Sequence, residues 1–222
     1  MKYTFKRSRY SSHGKILALL GRGNGDVCVD AGCASGYLAK ELSQRGWHVV
    51  GIEPDPIDAR LAADYCREVV ESDLDSVDFA LIQPFKSIVF GDVLEHLQNP
   101  ERTLSRSIEH LDPNGVVVIS VPNIANLMIR ISLLIGRFDY TERGILDRTH
   151  LRFFTRRSLR ELVEKCDLKI EIMTQTPIPV EEVLPDFRGL RWIPPVANAV
   201  TRVFPTLLGY QFVVRARRVS PR

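Results

Sequence analysis

The stretch that most constrains the fold is residues 27–37, where a β-branched apolar run ends in a glycine-rich turn. Residues 27–29 have the composition of a buried strand, and small residues then separate Gly32 from Gly36. A helical pattern begins at Tyr37. Small residues let a ligand approach the backbone, and a helix start offers unpaired N–H groups. The order of strand, turn and helix therefore predicts a nucleotide site.

One acidic residue indicates which kind of nucleotide this turn suits. Asp30 stands just before Gly32, where it would repel a pyrophosphate, and the turn reads Gly-x-Ala-x-Gly rather than Gly-x-Gly-x-x-Gly. A cationic ligand is favoured. The stretch resembles the first motif of class I S-adenosylmethionine (SAM)-dependent methyltransferases, an acidic residue followed by a Gly-rich turn. The resemblance implies SAM as cofactor, bound by Asp30, Gly32 and Gly36. A side chain at Gly36 is expected to meet this ligand in a folded protein.

The composition indicates one folded domain over residues 1–222. Hydrophobic residues make up 45% of the chain, which is enough for a full core. The net charge of +3 does not indicate a nucleic-acid partner, and no apolar run is long enough to cross a bilayer. The N-terminus lacks the apolar segment of a signal peptide. Four cysteines without a Cys-x-x-Cys pair predict reduced thiols and a cytoplasmic protein.

Apolar runs alternate with helical patterns along the chain. The runs at residues 27–31, 47–53, 68–74, 84–90 and 116–122 predict parallel strands of a doubly wound α/β sheet. Residues 168–174 and 209–216 predict two further strands. Periodicity alone does not give the strand order. The resemblance implies a Rossmann-like sheet of order 3-2-1-4-5-7-6 with the last strand antiparallel.

Acidic residues follow the second and third strands. Glu53 ends the second strand at the distance from Gly32 at which a carboxylate accepts both ribose hydroxyls of a nucleoside. Together with the first turn, Glu53 predicts a second element of one nucleoside site. After the third strand, the resemblance implies that Asp73 faces the adenine amino group and that Leu74 helps to hold the ring.

The fourth strand runs into residues 91–97, which resemble the Val-Leu-Glu-His motif of ubiquinone-type O-methyltransferases. Asp92, Glu95 and His96 would share one face of a helical turn. Three interpretations remain open. The residues line the methyl-transfer cleft, which we favour, with Asp92 at the cofactor; or Glu95 and His96 only brace the loop; or the three bind a divalent metal, for which they are insufficient alone. No metal ligand is therefore predicted.

The regular alternation stops after the fifth strand. The apolar residues 123–136 are either a core helix or, as we prefer, part of a lid insertion over residues 123–154 at the carboxyl ends of the strands. Residues 144–155 closely resemble a segment of bacterial methyltransferases of cell-surface glycan and glycolipid synthesis. Asp147 and His150 in this segment are candidates to hold or deprotonate a substrate, unless they only join the lid to the domain. We expect His150 to be the base, with His96 as its rival.

The C-terminal part of the chain is rich in proline and arginine. Residues 176–206 predict an ordered cap, because a bare linker would not carry their apolar groups. Residues 177–222 hold seven arginines against three acids. This charge suits a phosphorylated or lipid-linked substrate, or serves only solubility.

These features together predict a SAM-dependent methyltransferase, with His150, His96, Glu95 and Asp147 as the catalytic candidates. The acceptor would be a small molecule, a sugar or a lipid-linked glycan, methylated on oxygen in preference to nitrogen. The protein would act in the cytoplasm or, through peripheral membrane contact, at the inner membrane surface, without a nucleic-acid partner. The alternatives are an NAD-dependent oxidoreductase on the same sheet and an inactive SAM-binding scaffold. The sequence does not indicate the oligomeric state.

Overall fold

The computed structural model describes residues 5–82, 84–179 and 193–219. Seven strands in these ranges form one sheet: β1 (Val27–Ala31), β2 (His48–Ile52), β3 (Glu68–Val70), β4 (Phe85–Gly91), β5 (Leu111–Pro122), β6 (Leu168–Thr176) and β7 (Gln211–Arg218). Their order is β3-β2-β1-β4-β5-β7-β6. The first five strands are parallel, and β7 runs antiparallel to both of its neighbours. The predicted fold class and strand order are confirmed.

Helices connect the strands: α1 (Ser12–Leu20), α2 (Tyr37–Ser43), α3 (Pro56–Ala62), α4 (Pro100–Glu109), α5 (Leu127–Leu134), α6 (Arg156–Lys165), α7 (Ile193–Val203) and α8 (Pro205–Leu208). Several begin where the sequence supplies a capping side chain. Ser11, Asp55 and Asn99 each accept a hydrogen bond from a backbone N–H in the first turn of α1, α3 and α4. Such caps satisfy N–H groups that have no partner within the helix.

The sheet is buried on both faces. Successive side chains of a strand point to opposite faces, so Val29 belongs to the larger apolar cluster and Cys28 to the smaller one on the other side. The four cysteines are free thiols. Because both faces are covered, polar groups that must reach a ligand are found where the strands end.

One predicted strand begins earlier than expected. The sequence indicates a turn at residues 112–115 that precedes the fifth strand, but the structure includes this turn in β5. Phe85 pairs with Leu111, whereas Ser87 pairs with Val116, so the turn residues form an irregularity within the strand. The Asp112 side chain accepts a hydrogen bond from the Asn114 N–H at 2.7 Å, which stabilises the turn locally.

The insertion after β5 carries an exposed apolar helix. None of the residues of α5 is buried, and Met128, Ile131, Leu133 and Leu134 are all exposed. The core-helix alternative for this segment is therefore wrong. A lid remains the prediction for residues 123–154. No helix in the described ranges is long and apolar enough to cross a membrane.

The predicted C-terminal cap lies only partly within the described residues, because residues 180–192 fall outside them. The described part contains α7 and α8. The Gln175 side chain of β6 donates a hydrogen bond to the Thr201 carbonyl at 2.9 Å, and Asn198 of α7 is buried. These contacts hold α7 against the edge of the sheet.

Gly36 is required by packing between helices. Its φ is +77°, and a Cβ atom there would lie 2.8 Å from the Cα of Ala62 in α3. The expectation that the protein stays folded with a side chain at Gly36 is corrected, because that side chain would meet the backbone of α3. Its contact with the ligand stays a prediction.

We predict that Gly36→Ala lowers the free energy of unfolding by about 2–4 kcal/mol, through left-handed strain and overpacking against Ala62. Gly136→Ala is the matched control, since Gly136 has a φ of +75° and open space around its Cβ position. The control should cost about 1–2 kcal/mol, the strain alone. Urea denaturation measures both, and equal losses in the two variants would contradict the packing argument.

Candidate functional site

The candidate site lies at the carboxyl ends of the central strands. β1 pairs with β2 on one side and with β4 on the other. The strand order reverses here, and in open α/β sheets the crevice outside the strand ends at such a point binds ligands.

The glycine turn after β1 is fixed against two neighbouring segments. The N–H of Gly32 donates to the Ile52 carbonyl at 2.9 Å, and the N–H of Ala34 donates to Glu53 Oε2 at 2.9 Å. Gly32 has a φ of +72°, and a Cβ there would lie 2.7 Å from Val93 Cγ2. Only glycine therefore allows this turn to approach the segment after β4.

Glu53, the residue predicted to bind the ribose, also stabilises this turn through hydrogen bonds. Besides the bond from Ala34, its Oε1 accepts a hydrogen bond from the Asp55 N–H at 3.0 Å. Burial raises the pKa of Glu53, against the opposing effect of these two backbone bonds. A carboxylate offers about four lone-pair sites, so Glu53 retains capacity for further hydroxyl donors.

Asp30 is a nearly isolated buried carboxyl group. Its side chain is 3% exposed, and Oδ2 has no hydrogen-bond partner among the described residues. Burial, and secondarily the charge of Glu53, raises the pKa of Asp30 to about 7. A buried carboxyl without a donor is well suited to a positively charged ligand. The site therefore fits the cationic cofactor that the sequence predicts.

Asp92 is bound by the N-terminal segment. Its Oδ1 accepts a hydrogen bond from Ser120 Oγ at 2.5 Å, and its Oδ2 lies 3.2 Å from Lys6 Nζ. Burial acts to raise the pKa of Asp92, but Lys6 and the Ser120 hydroxyl outweigh it and lower this pKa to about 2. The predicted cofactor role of Asp92 is not tested by these contacts. They show that its carboxylate already has protein partners.

Sequence reasoning missed that residues 5–13 cover this part of the site. In this segment His13 is buried, and its ring stacks on Phe5 at 5.2 Å between centroids. Asp92 and Lys6 are 86 residues apart. No local pattern in the sequence signals a contact at that separation.

The two residues predicted at the adenine ring occupy different environments. Asp73 is exposed, and its Oδ1 accepts a hydrogen bond from the Asp75 N–H at 2.8 Å. The Leu74 side chain is buried in the larger apolar cluster. β3 ends at Val70, earlier than the predicted run 68–74, so both positions lie in the loop after the strand. Their contact with a ring stays a prediction.

A second group of side chains lies on the loop after β4. Glu95 is 1% exposed, and neither of its carboxylate oxygens has a hydrogen-bond partner among the described residues. Burial raises the pKa of Glu95 well above its ordinary value, and the charge of Asp92 adds to this effect.

Two histidines lie beside Glu95. The ring centroids of His96 and His150 are 4.8 Å apart, and the rings are nearly perpendicular. His150 Nδ1 is 3.1 Å from the Ile145 carbonyl, and His96 Nδ1 is 3.1 Å from Thr149 Oγ1. Burial, together with the charge of His96, lowers the pKa of His150. We refer to Glu95, His96 and His150 as the Glu-His-His cluster.

Asp147 acts on this cluster through Thr149. Its Oδ1 accepts hydrogen bonds from the Thr149 N–H at 2.9 Å and from Thr149 Oγ1 at 2.7 Å. Burial acts to raise the pKa of Asp147, but these bonds outweigh it and lower this pKa. Asp147 is therefore a positioning residue for His96 rather than a direct member of the cluster.

Backbone bonds join the two loops that carry the cluster. The N–H groups of Leu151 and Arg152 both donate to the Glu95 carbonyl, at 2.8 and 2.9 Å. The interpretation that residues 144–155 join the insertion to the domain describes a real set of contacts. These backbone contacts do not conflict with the other interpretation, in which side chains of residues 144–155 act on a substrate.

Aromatic side chains of the insertion continue from the cluster. The His150 ring centroid lies 6.3 Å from that of Phe153, and Phe138 lies 5.9 Å from Phe153 and 5.5 Å from Tyr140. Phe138 and Tyr140 are exposed. Sequence reasoning did not select these aromatic residues, although they share the insertion with His150.

An arginine-lined cavity of about 430 Å³ is bordered by the insertion, α6 and α8. Its lining residues are Ala125, Arg130, Thr155, Arg156, Arg157, Arg160 and Thr206. Arg157 and Arg160 form ion pairs with Glu161 and Glu164 along α6. Within the described part of the chain, Arg130 and Arg156 form no ion pair. The cavity therefore carries excess positive charge.

Comparison with known proteins agrees with this architecture. The profile of a family described as "Methyltransferase domain" matches residues 5–171. The ubiquinone biosynthesis O-methyltransferase of Rickettsia akari is 20% identical over 151 residues, which are 64% of this chain and 59% of that protein. The R. conorii protein of the same description is 23% identical over 152 residues, 65% of this chain and 50% of that protein. The chain thus covers less than two thirds of either relative.

Solved structures show the same fold at low identity. A SAM-dependent methyltransferase from Archaeoglobus fulgidus is 18% identical, with a TM-score of 0.64 and coverage of 95% of each chain. The Burkholderia thailandensis 1,6-didemethyltoxoflavin-N1-methyltransferase, solved with bound 1,6-didemethyltoxoflavin and S-adenosylhomocysteine (SAH), is 19% identical. Its TM-score is 0.60, with 94% of this chain and 77% of that chain covered. At these identities the likeness concerns the fold.

We predict that Asp30→Asn stabilises the ligand-free protein at pH 8. The Asp30 carboxyl ionises near pH 4 in the unfolded chain but at about pH 7 when folded, so wild-type stability falls as the pH rises between these values. The amide removes this loss, and the gain should be about 4 kcal/mol at pH 8 and smaller at pH 5.

Thermal unfolding at the two pH values checks this expectation. Asp64→Asn, at an exposed position, is the control and should change stability little. A gain in Asp30→Asn that does not depend on pH would show that the buried charge is not its cause.

Proposed function

Because this chain belongs to the methyltransferase-domain family and its cofactor is SAM, we propose that it methylates a hydroxyl oxygen on an apolar, lipid-linked acceptor. The observation that carries this proposal is the Glu-His-His cluster, in which Glu95 and His150 are buried and His96 is half-buried, beside the Phe153 ring of the insertion. Family membership disfavours the NAD-dependent oxidoreductase alternative. The experiments below separate an enzyme from an inactive scaffold.

The first group of residues would hold the cofactor. Asp30 would offset the positive charge of SAM, Glu53 would accept hydrogen bonds from the ribose hydroxyls, and the turn at Gly32 would let the ligand approach the backbone. SAM supplies a methyl group on a sulfonium. The protein's contribution is to align the acceptor oxygen behind that methyl group and to exclude water.

The Glu-His-His cluster would activate the acceptor. A hydroxyl is a weak nucleophile until its proton is removed, and positioned imidazoles commonly take that proton. The Nδ1 atoms of His96 and His150 are engaged by Thr149 and by the Ile145 carbonyl, which leaves Nε2 of each ring for the acceptor. Asp147 would fix His96 through Thr149. This arrangement supports oxygen rather than nitrogen as the methylated atom.

The surface of the insertion supports a lipid-linked acceptor. α5 presents Met128, Ile131 and Leu134 to the outside, and Val203 and Phe204 are exposed beside the cavity residue Thr206. Exposed apolar groups next to excess arginine charge are typical of surfaces that contact anionic lipid. The lid over residues 123–154 would thus dock on the membrane surface and bring a lipid-linked acceptor toward the cluster.

We predict that a variant in the Glu-His-His cluster loses methyl transfer but keeps SAH binding, and that a variant in the cofactor group loses SAH binding. His150→Ala should lower methyl transfer by about 10²–10⁴-fold with SAH affinity nearly unchanged, because the residue acts on the acceptor. Glu53→Ala should weaken SAH binding by about 2–3 kcal/mol, because charge-assisted hydrogen bonds are lost. Calorimetry with SAH gives the affinities. Transfer of labelled methyl from SAM to a total lipid extract of the source organism gives the activity.

Several outcomes would contradict these assignments. Normal transfer by His150→Ala would remove that residue from acceptor activation, and a large loss in His96→Ala alone would assign the role to His96. Lost SAH binding in His150→Ala would make it a cofactor or structural residue. SAH binding by the wild type without transfer to lipid or aqueous extracts would support the inactive scaffold.

We also predict that the protein binds vesicles of phosphatidylglycerol in preference to phosphatidylcholine. Leu134→Ser should weaken this binding by about 5–30-fold, since it removes 1–2 kcal/mol of apolar contact. Leu81→Ser is the matched control, because Leu81 is 84% exposed and Leu134 is 86% exposed. Vesicle co-sedimentation measures the bound fraction. Equal binding to both lipids, or equal losses in the two variants, would refute the membrane surface.

A further inference from the structure

The structure places His150 next to the loop after β4, a contact that the sequence did not predict. Asp92, Glu95 and His96 were insufficient alone for a metal site, but His150 approaches Glu95 and His96 from the insertion. One potential ligand atom from each of the three residues lies within 4.8 Å of the other two. One carboxylate and two imidazoles form a donor set that suits divalent first-row transition metals.

The surroundings of the two imidazoles favour this use. A metal-bound histidine almost always donates its other ring N–H to a carbonyl or carboxylate, which fixes the ring and the tautomer. His150 Nδ1 faces the Ile145 carbonyl at 3.1 Å, and His96 Nδ1 faces the Thr149 carbonyl at 3.3 Å. A carbonyl oxygen only accepts, so both Nδ1 atoms carry the proton and both Nε2 atoms keep a free lone pair.

Glu95 provides the second, independent observation. A buried carboxyl group normally has hydrogen-bond partners. Where those partners are missing, an explanation such as a bound ion is needed. Both oxygens of Glu95 lack partners among the described residues although the side chain is almost fully buried. Asp92 lies near enough to add negative charge, while its own oxygens contact Ser120 and Lys6. A cation at Glu95 would balance this charge.

We propose that the Glu-His-His cluster binds one divalent first-row transition-metal cation, such as Zn²⁺ or Mn²⁺, next to the acceptor. The inference rests on the proposed function for its role but not for its existence. Bonds of about 2.0–2.2 Å place neighbouring ligand atoms roughly 3–3.5 Å apart, so the three atoms need to close by about an ångström. Three protein ligands leave positions open for an acceptor oxygen, and the cation would lower the pKa of its hydroxyl. With both Nε2 lone pairs on the cation, the imidazoles would act as ligands instead of as the base, and water would take the hydroxyl proton.

The direct test is metal binding by the full chain after treatment with a chelator. Calorimetry with Zn²⁺ and Mn²⁺ should give one equivalent per chain, with Zn²⁺ tighter than Mn²⁺, and Mg²⁺ should bind far more weakly. Glu95→Gln and His150→Ala should each weaken Zn²⁺ binding by at least 30-fold. Glu95→Gln retains the side-chain volume, and circular dichroism will verify that both variants are folded.

Matched controls separate the cluster from other donors. His48→Ala removes an exposed histidine, and Cys66→Ser removes a partly exposed thiol. Both should keep one equivalent of Zn²⁺ at the wild-type affinity. Substitution with Co²⁺ should give a visible spectrum of nitrogen and oxygen ligation that is lost in His150→Ala. Failure of the wild type to bind, or equal binding by the cluster variants, would overturn the proposal.

Activity separates this inference from the proposed function. If the stripped protein transfers methyl at the full rate, the imidazoles act without a cation, so the role of the metal in methyl transfer is overturned while the proposed function stands. If the wild type binds one equivalent through the cluster but transfers methyl to no acceptor, the metal site stands and the proposed function fails.

Discussion

Burial of the sheet on both faces is the constraint on which the rest of this structure depends. Because apolar clusters cover each side, the strands have no free face on which to present polar groups. Chemistry is therefore confined to the loops at the strand ends. The reversal of strand order between β1 and β4 opens a crevice among those loops. Asp30, Glu53 and Glu95 all lie at that edge.

Two of these acids oppose folding. Asp30 and Glu95 are almost fully buried, and each has at least one oxygen without a partner in the described part of the chain. Burying such groups costs free energy unless a charge or donor compensates for them. Stability that the apolar core provides is thus offset at two points where a cationic ligand would be favoured. The first point corresponds to the proposed cofactor position and the second to the Glu-His-His cluster.

The insertion after β5 has two different sides. Toward the domain, Leu151 and Arg152 bind the Glu95 carbonyl, and His150 lies against His96. Toward the outside, α5 leaves its apolar side chains exposed next to an arginine-lined cavity. One segment therefore joins the proposed acceptor chemistry to the proposed membrane surface. That link is the reason for proposing a lipid-linked acceptor.

The sequence by itself determined what depends on local pattern. Alternating apolar and helical periods gave the α/β class, and the acidic turn with Glu53 indicated one nucleoside site, because neighbouring parallel strands bring their ends to the same edge. Tertiary structure decided what depends on contacts between distant segments. Lys6 forms an ion pair with Asp92, and His150 lies near Glu95. Ala62 packs so close to Gly36 that a side chain there would clash. Local periodicity carries no information about such pairs, because packing and loop closure alone place them together.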